Sequence, residues 1–164
     1  MIMTARTLHP PRGTEPLVAA LLAMQVRFMV VGGLGVQHYC PGRVAADLDV
    51  LIESSETNAT GVAYALDKIG FTMLPETVRL LFAPGPRPQQ IQLHPTIPAD
   101  ILTEGEGFDF AAHWEQSDRA NVLATPVRVA SPQLLITMKS RSTREKDAQD
   151  VLLLQSYLES KTAR

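Results

Sequence analysis

Two aspartates lie one residue apart where the sequence otherwise predicts a buried strand. Residues 47–52 read DLDVLI, and side chains at i and i+2 of a strand point to the same face. Asp47 and Asp49 would therefore project adjacent carboxylates, whose burial as charged groups costs several kcal/mol. Divalent cations remove this cost, because Mg²⁺ prefers oxygen ligands and two-metal sites hold ions about 3.5–4 Å apart. The pair predicts a metal site, and the alternative is an exposed edge strand with solvated acids.

A pair of glycines precedes these acids and ends another apolar run. Phe28 to Val31 reads FMVV, which predicts a buried strand, and Gly32 and Gly33 follow it directly. A short helix is expected from Leu34 to Tyr39. A helix that starts at Gly33 directs unpaired backbone N–H groups and the positive end of its dipole outward, which favours a phosphate group. The glycines and the acids together predict the two halves of a nucleoside triphosphate site.

The rest of the chain predicts the elements that must position these residues. Pro16 suits the first position of an amphipathic helix, and Thr57 or Asn58 is expected to cap a second helix that ends at Gly70. Residues 71–102 contain short apolar pieces broken by proline, FTML, VRLLFA, IQLH and ADIL, which predict strands joined by turns.

Helices are expected to dominate the C-terminal end. FDFAAHWEQS predicts a helical turn or two, and NVLATPVRVA predicts a hairpin or two short strands. Ser131 with Pro132 predicts a capped helix start, and Ser142 with Glu145 predicts a capping box before another helix. The expected fold class is therefore α/β (α+β), with a mixed sheet flanked by helices and a helical C-terminal end.

Length and composition set bounds on the class of protein. The 164 residues are 45% hydrophobic, which predicts a single domain over residues 16–164 after a loose lead-in over residues 1–15, where two adjacent prolines occur. The net charge of -2 gives no overall attraction to nucleic acid. Cys40 is the only cysteine, which excludes an internal disulfide and favours a cytoplasmic setting. The apolar run LVAALLAM is too short to span a membrane.

Two segments carry a resemblance to a known family. VVGGLGVQHYCPGRVAADLDV resembles the motif of the DNA polymerase beta-like nucleotidyltransferase superfamily, in which Gly-Gly or Gly-Ser precedes Asp-x-Asp on a strand. Thirteen residues separate Gly33 from Asp47. The tail LLITMKSRSTREKDAQDVLLL is similar to the Lys…Arg…Lys-Asp…Asp pattern of the subgroup that includes the abortive-infection (AbiEii-type) toxins. Together the two segments and the region between them cover most of the chain from Phe28 to Leu154.

The resemblance implies a metal-dependent nucleotidyltransferase, which moves a nucleoside monophosphate from an NTP such as ATP to a hydroxyl and releases pyrophosphate. Asp47 and Asp49 would hold Mg²⁺ or Mn²⁺. Asp100, in PADILTEG, resembles the family's third carboxylate, which would complete the metal site and help to deprotonate the acceptor hydroxyl. Taken by itself, Asp100 could equally cap a turn or bond to the backbone.

The resemblance also implies a phosphate-binding side of the site. Gly32 and Gly33 would shape the turn that receives the triphosphate, and Lys139 would lie near the phosphates or the acceptor. Arg43 could contact a phosphate or pair with the neighbouring acids. Relatives often have Arg-x-Thr at this point, whereas residues 43–45 read RVA, so a hydroxyl contact is missing.

Several functional alternatives remain open at the level of sequence. The acceptor could be RNA such as tRNA, a protein or a small molecule. A toxin with a cognate antitoxin in a two-gene system is a narrower version of the enzyme hypothesis. A different class of function is a catalytically inactive nucleotide-binding or partner-binding module with the same fold.

Overall fold

The computed structural model describes residues 5–163, in which seven strands form one mixed sheet with helices packed against it. This arrangement confirms the predicted fold class. The strands are β1 (Arg6–Leu8), β2 (Phe28–Val31), β3 (Leu48–Ile52), β4 (Gln89–Gln92), β5 (Ala99–Thr103), β6 (Asp118–Val122) and β7 (Thr125–Val129). The helices are α1 (Glu15–Ala23), α2 (Gly32–Tyr39), α3 (Glu56–Lys68), α4 (Pro75–Phe82), α5 (Phe110–Glu115), α6 (Pro132–Ser140) and α7 (Glu145–Thr162).

The strand order β1-β6-β7-β2-β3-β5-β4 places the predicted site residues on neighbouring strands. β3 runs antiparallel to β2 and parallel to β5, with Val31 opposite Asp49 and Asp49 opposite Asp100. The C-terminal end of β2 and the N-terminal ends of β3 and β5 therefore lie next to each other, at the same end of these central strands. The topology brings together the glycine turn and two of the predicted acids.

The central strands form the core of the molecule. All four residues of β2 are buried, as are Leu48 and residues 50–52 of β3. Leu17 and Leu21 of α1 are fully buried with them, and burial of each such side chain contributes about 1.5–3 kcal/mol. None of the helices within residues 5–163 combines the length and the apolar character needed to cross a bilayer.

The N-terminal segment differs from the loose lead-in expected over residues 1–15. Residues 6–8 pair in parallel with residues 120–122 of β6, and Leu8 is buried. This strand is stabilised by hydrogen bonds to β6 and by the burial of Leu8. It is too short to show a periodic pattern in the sequence. Residues 1–4 lie outside the described part of the chain, and the single-domain organisation stays a prediction.

Residues 75–82 form the helix α4 where strands are predicted. Pro75 is at its start, Glu76 lies in its first turn, and Leu81 is buried. The run VRLLFA is too short for its apolar pattern to distinguish a strand from a helix. Pro75, which suits the first position of a helix, is the signal that indicates the helix. FTML has no regular secondary structure, whereas IQLH and ADIL overlap β4 and β5 as predicted.

The starts of the last two helices show one correct and one wrong prediction. Ser131 caps α6, because its side chain accepts a hydrogen bond from the backbone N–H of Leu134 at 3.1 Å. The predicted capping box of Ser142 and Glu145 does not form. Glu145 is the first residue of α7, and Ser142 Oγ accepts instead from the backbone N–H of Arg144. The hairpin predicted for NVLATPVRVA is confirmed by β6 and β7, and the short helix predicted for FDFAAHWEQS is confirmed by α5.

The start of α3 depends on two polar residues with separate tasks. Ser55 caps the helix by accepting from Asn58 N–H, so the predicted cap at Thr57 or Asn58 is wrong. Asn58 is buried, and its amide bonds to the backbone of Arg27 at both N and O and to Glu53 O, at 2.8–3.0 Å. This side chain ties α3 to the start of β2 and the end of β3.

We expect Asn58→Ala to lower the free energy of unfolding by about 2–3 kcal/mol, because partly buried backbone groups of Arg27 and Glu53 lose their partners. The neighbouring exposed residue gives the control, and Thr57→Ala should change stability by less than about 0.5 kcal/mol. Urea denaturation of both variants measures the difference. Equal losses in the two variants would contradict a structural role for the Asn58 amide.

Candidate active site

Asp49 and Asp100 face each other across the parallel pair β3–β5. They are partners in register, and both line a cavity of about 290 Å³ together with Asp47 and Lys139. Asp100 is 7% exposed, and its Oδ2 accepts a 2.9 Å hydrogen bond from Gln90 Nε2. Its other oxygen, Oδ1, is buried and accepts from no N–H or alcohol O–H group within residues 5–163. A buried carboxylate oxygen without such a donor is costly, and its chemistry fits a cation ligand.

The pKa of Asp49 also indicates a site for a cation. Burial raises the pKa of Asp49 to about 7. Repulsion from Asp100 and Asp47 and a hydrogen bond from the protonated Asp49 carboxyl to Asp100 add to this shift, whereas the charge of Lys139 opposes it. Near neutral pH, Asp49 is therefore partly protonated in the protein alone. A divalent cation between these acids would favour the ionised form.

Asp47 occupies the rim of the same cavity. It precedes β3, and its Oδ1 lies 3.2 Å from His94 Nε2, with both side chains 41% exposed. Within residues 5–163, no group of three His, Cys, Asp or Glu side chains is gathered closely enough to ligate a metal ion. Of the three predicted metal ligands, Asp49 and Asp100 thus face each other, whereas Asp47 pairs with His94.

The glycine turn leaves room for the Asp49 carboxylate. Gly32 has φ +61°, and a Cβ placed on it would lie 2.0 Å from Asp49 Oδ2. Gly33 is confined too, because a Cβ there would lie 3.0 Å from a guanidinium nitrogen of Arg43. No side chain caps the start of α2, so its first backbone N–H groups remain available to a phosphate.

We expect Gly32→Ala to destabilise the fold by about 2–4 kcal/mol, because a side chain at positive φ is strained and its Cβ displaces Asp49. Gly42→Ala is the matched control, since a Cβ at Gly42 meets no atom within 4 Å. Thermal unfolding of the two variants measures the difference. A Gly32→Ala protein as stable as the Gly42→Ala protein would contradict this packing of the turn.

A network of buried charges borders the cavity on its α6–α7 side. Arg43 binds Asp150 through Nε at 2.7 Å and Nη2 at 3.1 Å. Lys139 Nζ lies 2.9 Å from Asp147 Oδ1 and 2.8 Å from Asp150 Oδ2. Asp150 is only 1% exposed, and although burial raises its pKa, the bonds from Arg43 and Lys139 outweigh burial and hold the pKa below its usual range.

This network fixes the positions of the two predicted phosphate-binding cations. Lys139 lines the carboxylate cavity, and its contact with phosphates stays a prediction. Arg43 lies beside Gly33 but pairs with Asp150 of α7, not with the acids of the DLD stretch that follows it. The loop after α2 is thereby tied to α7.

Three residues that shape the site have no role predicted from the sequence. Gln90 orients Asp100 from β4, and His94 approaches Asp47 from the loop after β4, so both contacts depend on tertiary structure. Asp150 has a sequence signal, because it follows Asp147 at i+3 and both lie on one face of a helix. That spacing places both acids within reach of Lys139.

Comparisons with known proteins bear on the fold. No family model matches the chain, and no curated protein matches its sequence. The chain is similar to the lincomycin-bound crystal structure of the lincosamide antibiotic adenylyltransferase LnuA, at 16% identity and a TM-score of 0.53, over 88% of this chain and 98% of LnuA. It is also similar to ANT(2")-Ia in complex with adenylyl-2"-tobramycin, at 12% identity and a TM-score of 0.51, over 89% of this chain and 90% of the other. The chain therefore has a nucleotidyltransferase fold.

Proposed function

We propose that this protein is a metal-dependent nucleotidyltransferase that transfers a nucleoside monophosphate from an NTP to a hydroxyl group of an acceptor. The observation that carries the proposal is the facing pair Asp49 and Asp100, which line one cavity, with Asp100 Oδ1 buried and reached by no N–H or alcohol O–H group of the described residues. The pair lies beside the glycine start of α2, where a triphosphate finds free backbone donors. Metal ligands and a phosphate-accepting helix start are both needed for this reaction.

In the proposed reaction, Asp47, Asp49 and Asp100 would hold Mg²⁺ or Mn²⁺, which when bound polarises the α-phosphate and neutralises developing charge. The backbone N–H groups at Gly32 and Gly33 would receive the phosphates. Asp100 would accept the proton of the acceptor hydroxyl. The acceptor oxygen then bonds to the α-phosphorus as the bond to the leaving pyrophosphate breaks.

Lys139 supports this proposal from the other side of the cavity. Its Nζ is held by Asp147 and Asp150, so the ammonium group is positioned before any nucleotide arrives. A positive charge fixed in advance stabilises the transferred phosphoryl group without reorganisation during the reaction. Arg43 would act as a positioning residue, because it anchors Asp150.

The acceptor that we propose to test first is a small molecule with free hydroxyl groups. The two similar structures contain lincomycin and adenylylated tobramycin, respectively, and the net charge of -2 does not favour a large RNA footprint. The AbiEii-type subgroup, a toxin role, a tRNA or protein acceptor and a cognate antitoxin stay predictions from the sequence resemblance.

Pyrophosphate release measured with each of the four NTPs tests the proposal. The assay contains Mg²⁺ or Mn²⁺ and an acceptor panel of lincomycin, tobramycin, bulk tRNA and the protein itself. We expect release that depends on the metal and on one acceptor, and that is retained in Asp67→Asn, a control at an exposed acid of α3. Release that persists in EDTA would contradict the metal dependence.

The inactive binding module is supported by one specific observation. Residues 43–45 read RVA, which lacks the hydroxyl that relatives often have. Calorimetry with ATP, CTP and GTP, with and without Mg²⁺, separates the two functions. Metal-dependent binding without pyrophosphate release under every acceptor would favour the module.

A further inference from the structure

A second cavity lies on the β6–β7 side of the sheet, away from the carboxylates. Its volume is about 340 Å³, within the range of small-molecule sites. It shares no lining residue with the carboxylate cavity. Phe28 at the start of β2 lines it, whereas the glycine turn at Gly32 lies about 13 Å further along that strand. The two cavities are therefore separate sites.

Two arginines form one wall of this second cavity. Arg119 and Arg128 are opposite each other in the antiparallel pair β6–β7. Like charges directly opposite on neighbouring strands are destabilising. Within residues 5–163, neither guanidinium has a carboxylate within 4.0 Å, and the protein contact of Arg128 is a long bond of 3.4 Å to Ser117 Oγ. No acid of the described protein pairs with either arginine, and Arg119 is exposed to solvent whereas Arg128 is partly buried.

The rest of the cavity is apolar and aromatic. Val26 is a buried apolar residue of its lining, and Leu22 and Pro126 line it as well. Trp114 lines it as well, with the guanidinium carbon of Arg128 5.0 Å from the ring centroid. Arg27 lies at the same distance from that ring, but Glu53 at 2.9 Å balances its charge. The cavity thus combines an apolar floor with one basic edge.

We propose that this cavity binds a small organic anion with a flat apolar body and an oxyanion head. The body would pack against Val26 and Trp114, and the head would accept charge-assisted hydrogen bonds from Arg119 and Arg128. Such a ligand removes the repulsion between the two arginines, as a cation would between Asp49 and Asp100. The proposal is independent of nucleotidyl transfer, because it uses no residue of that site.

Trp114 is the only tryptophan in the chain, so its fluorescence reports directly on this cavity. The probe is biphenyl-4-carboxylate, and its uncharged control is biphenyl-4-carboxamide. We expect saturable quenching by the carboxylate, with a Kd at least about tenfold lower than that of the amide, because hydrogen bonds to a charged group are the strong ones. Inorganic phosphate alone should produce no saturable change below millimolar concentrations.

Arg119→Gln is the decisive variant and should weaken carboxylate binding at least fivefold without lowering the Tm, since it also removes a like-charge contact. Arg87→Gln, in the exposed loop before β4, is the control and should bind as the wild type does. Asp49→Asn should also bind as the wild type does, which keeps this test distinct from that of catalysis. Equal affinities for carboxylate and amide, unchanged binding by Arg119→Gln, or phosphate binding as tight as the carboxylate would each overturn the proposal.

Discussion

Asp49→Asn should reduce pyrophosphate release by at least about 10³-fold and leave the protein at least as stable as the wild type at pH 8. The loss of activity follows because the amide cannot supply the anionic ligand that Mg²⁺ prefers. The gain in stability follows because the amide side chain carries no charge to be repelled by Asp100 and Asp47. A structural residue shows the opposite pattern, in which activity falls because the fold is lost.

The stability effect has a defined pH window. Burial and the neighbouring acids raise the pKa of Asp49 from 3.8 to about 7, so between these values the folded state binds a proton that the unfolded state has released. The contribution of the Asp49 carboxyl to the free energy of unfolding is fully present below pH 3.8 and is lost as pH rises through 7. We expect the stability advantage of Asp49→Asn over the wild type to grow from pH 4 to pH 8.

Urea denaturation at pH 4, 6 and 8 measures this trend, with Asp67→Asn as the control for a generic change of charge. The control should follow the wild type at every pH and keep its activity. An Asp49→Asn protein that is less stable than the wild type at pH 8, or that retains wild-type pyrophosphate release, would contradict the role given to this acid.

Asp150→Ala should lower the free energy of unfolding by about 3–5 kcal/mol, because it leaves the buried side chains of Arg43 and Lys139 without their shared partner. Activity should fall with stability, since Lys139 loses one of its two anchors beside the carboxylate cavity. Glu159→Ala is a matched control, because Glu159 lies exposed on the same helix and forms no ion pair within residues 5–163.

The contribution of Asp150 to the free energy of unfolding changes with pH in the opposite direction to that of Asp49. The bonds from Arg43 and Lys139 hold the pKa of Asp150 below its usual range despite burial. Its contribution is present above the ordinary aspartate pKa and is lost as pH falls through the lower folded value. Guanidinium denaturation of Asp150→Ala at pH 7 measures the loss. A change no larger than that of Glu159→Ala would show that the network does not hold α6, α7 and the loop after α2 together.

The residues that the sequence could place are those that depend on local spacing. The turn at Gly32 and Gly33, the strand with Asp49 and the cap at Ser131 follow from neighbours within a few positions. The proximity of Asp100 does not, because it requires β5 to align in parallel with β3, which is distant from it in the chain. Family resemblance supplied that position, and the register of the sheet explains it.

The errors have equally local causes. Pro75 starts a helix of eight residues in which Val78, Leu81 and Phe82 pack against the core at helical spacing, and this stripe is too short to identify the helix from the sequence. Leu8 belongs to a strand of three residues that forms only because β6 offers an open edge. Gln90 and His94 carry no signal at all, since their partners Asp100 and Asp47 become neighbours only after β4 joins the sheet.

Crystals grown with MnCl₂ and a nonhydrolysable triphosphate analogue give the most direct measurement, because anomalous scattering locates manganese independently of the protein. We predict a manganese peak in ligating contact with Asp49 and Asp100 Oδ1, and phosphate density at the start of α2. Triphosphate bound at Gly32 and Gly33 with no manganese at this carboxylate pair would contradict the proposal that a divalent cation joins these two acids.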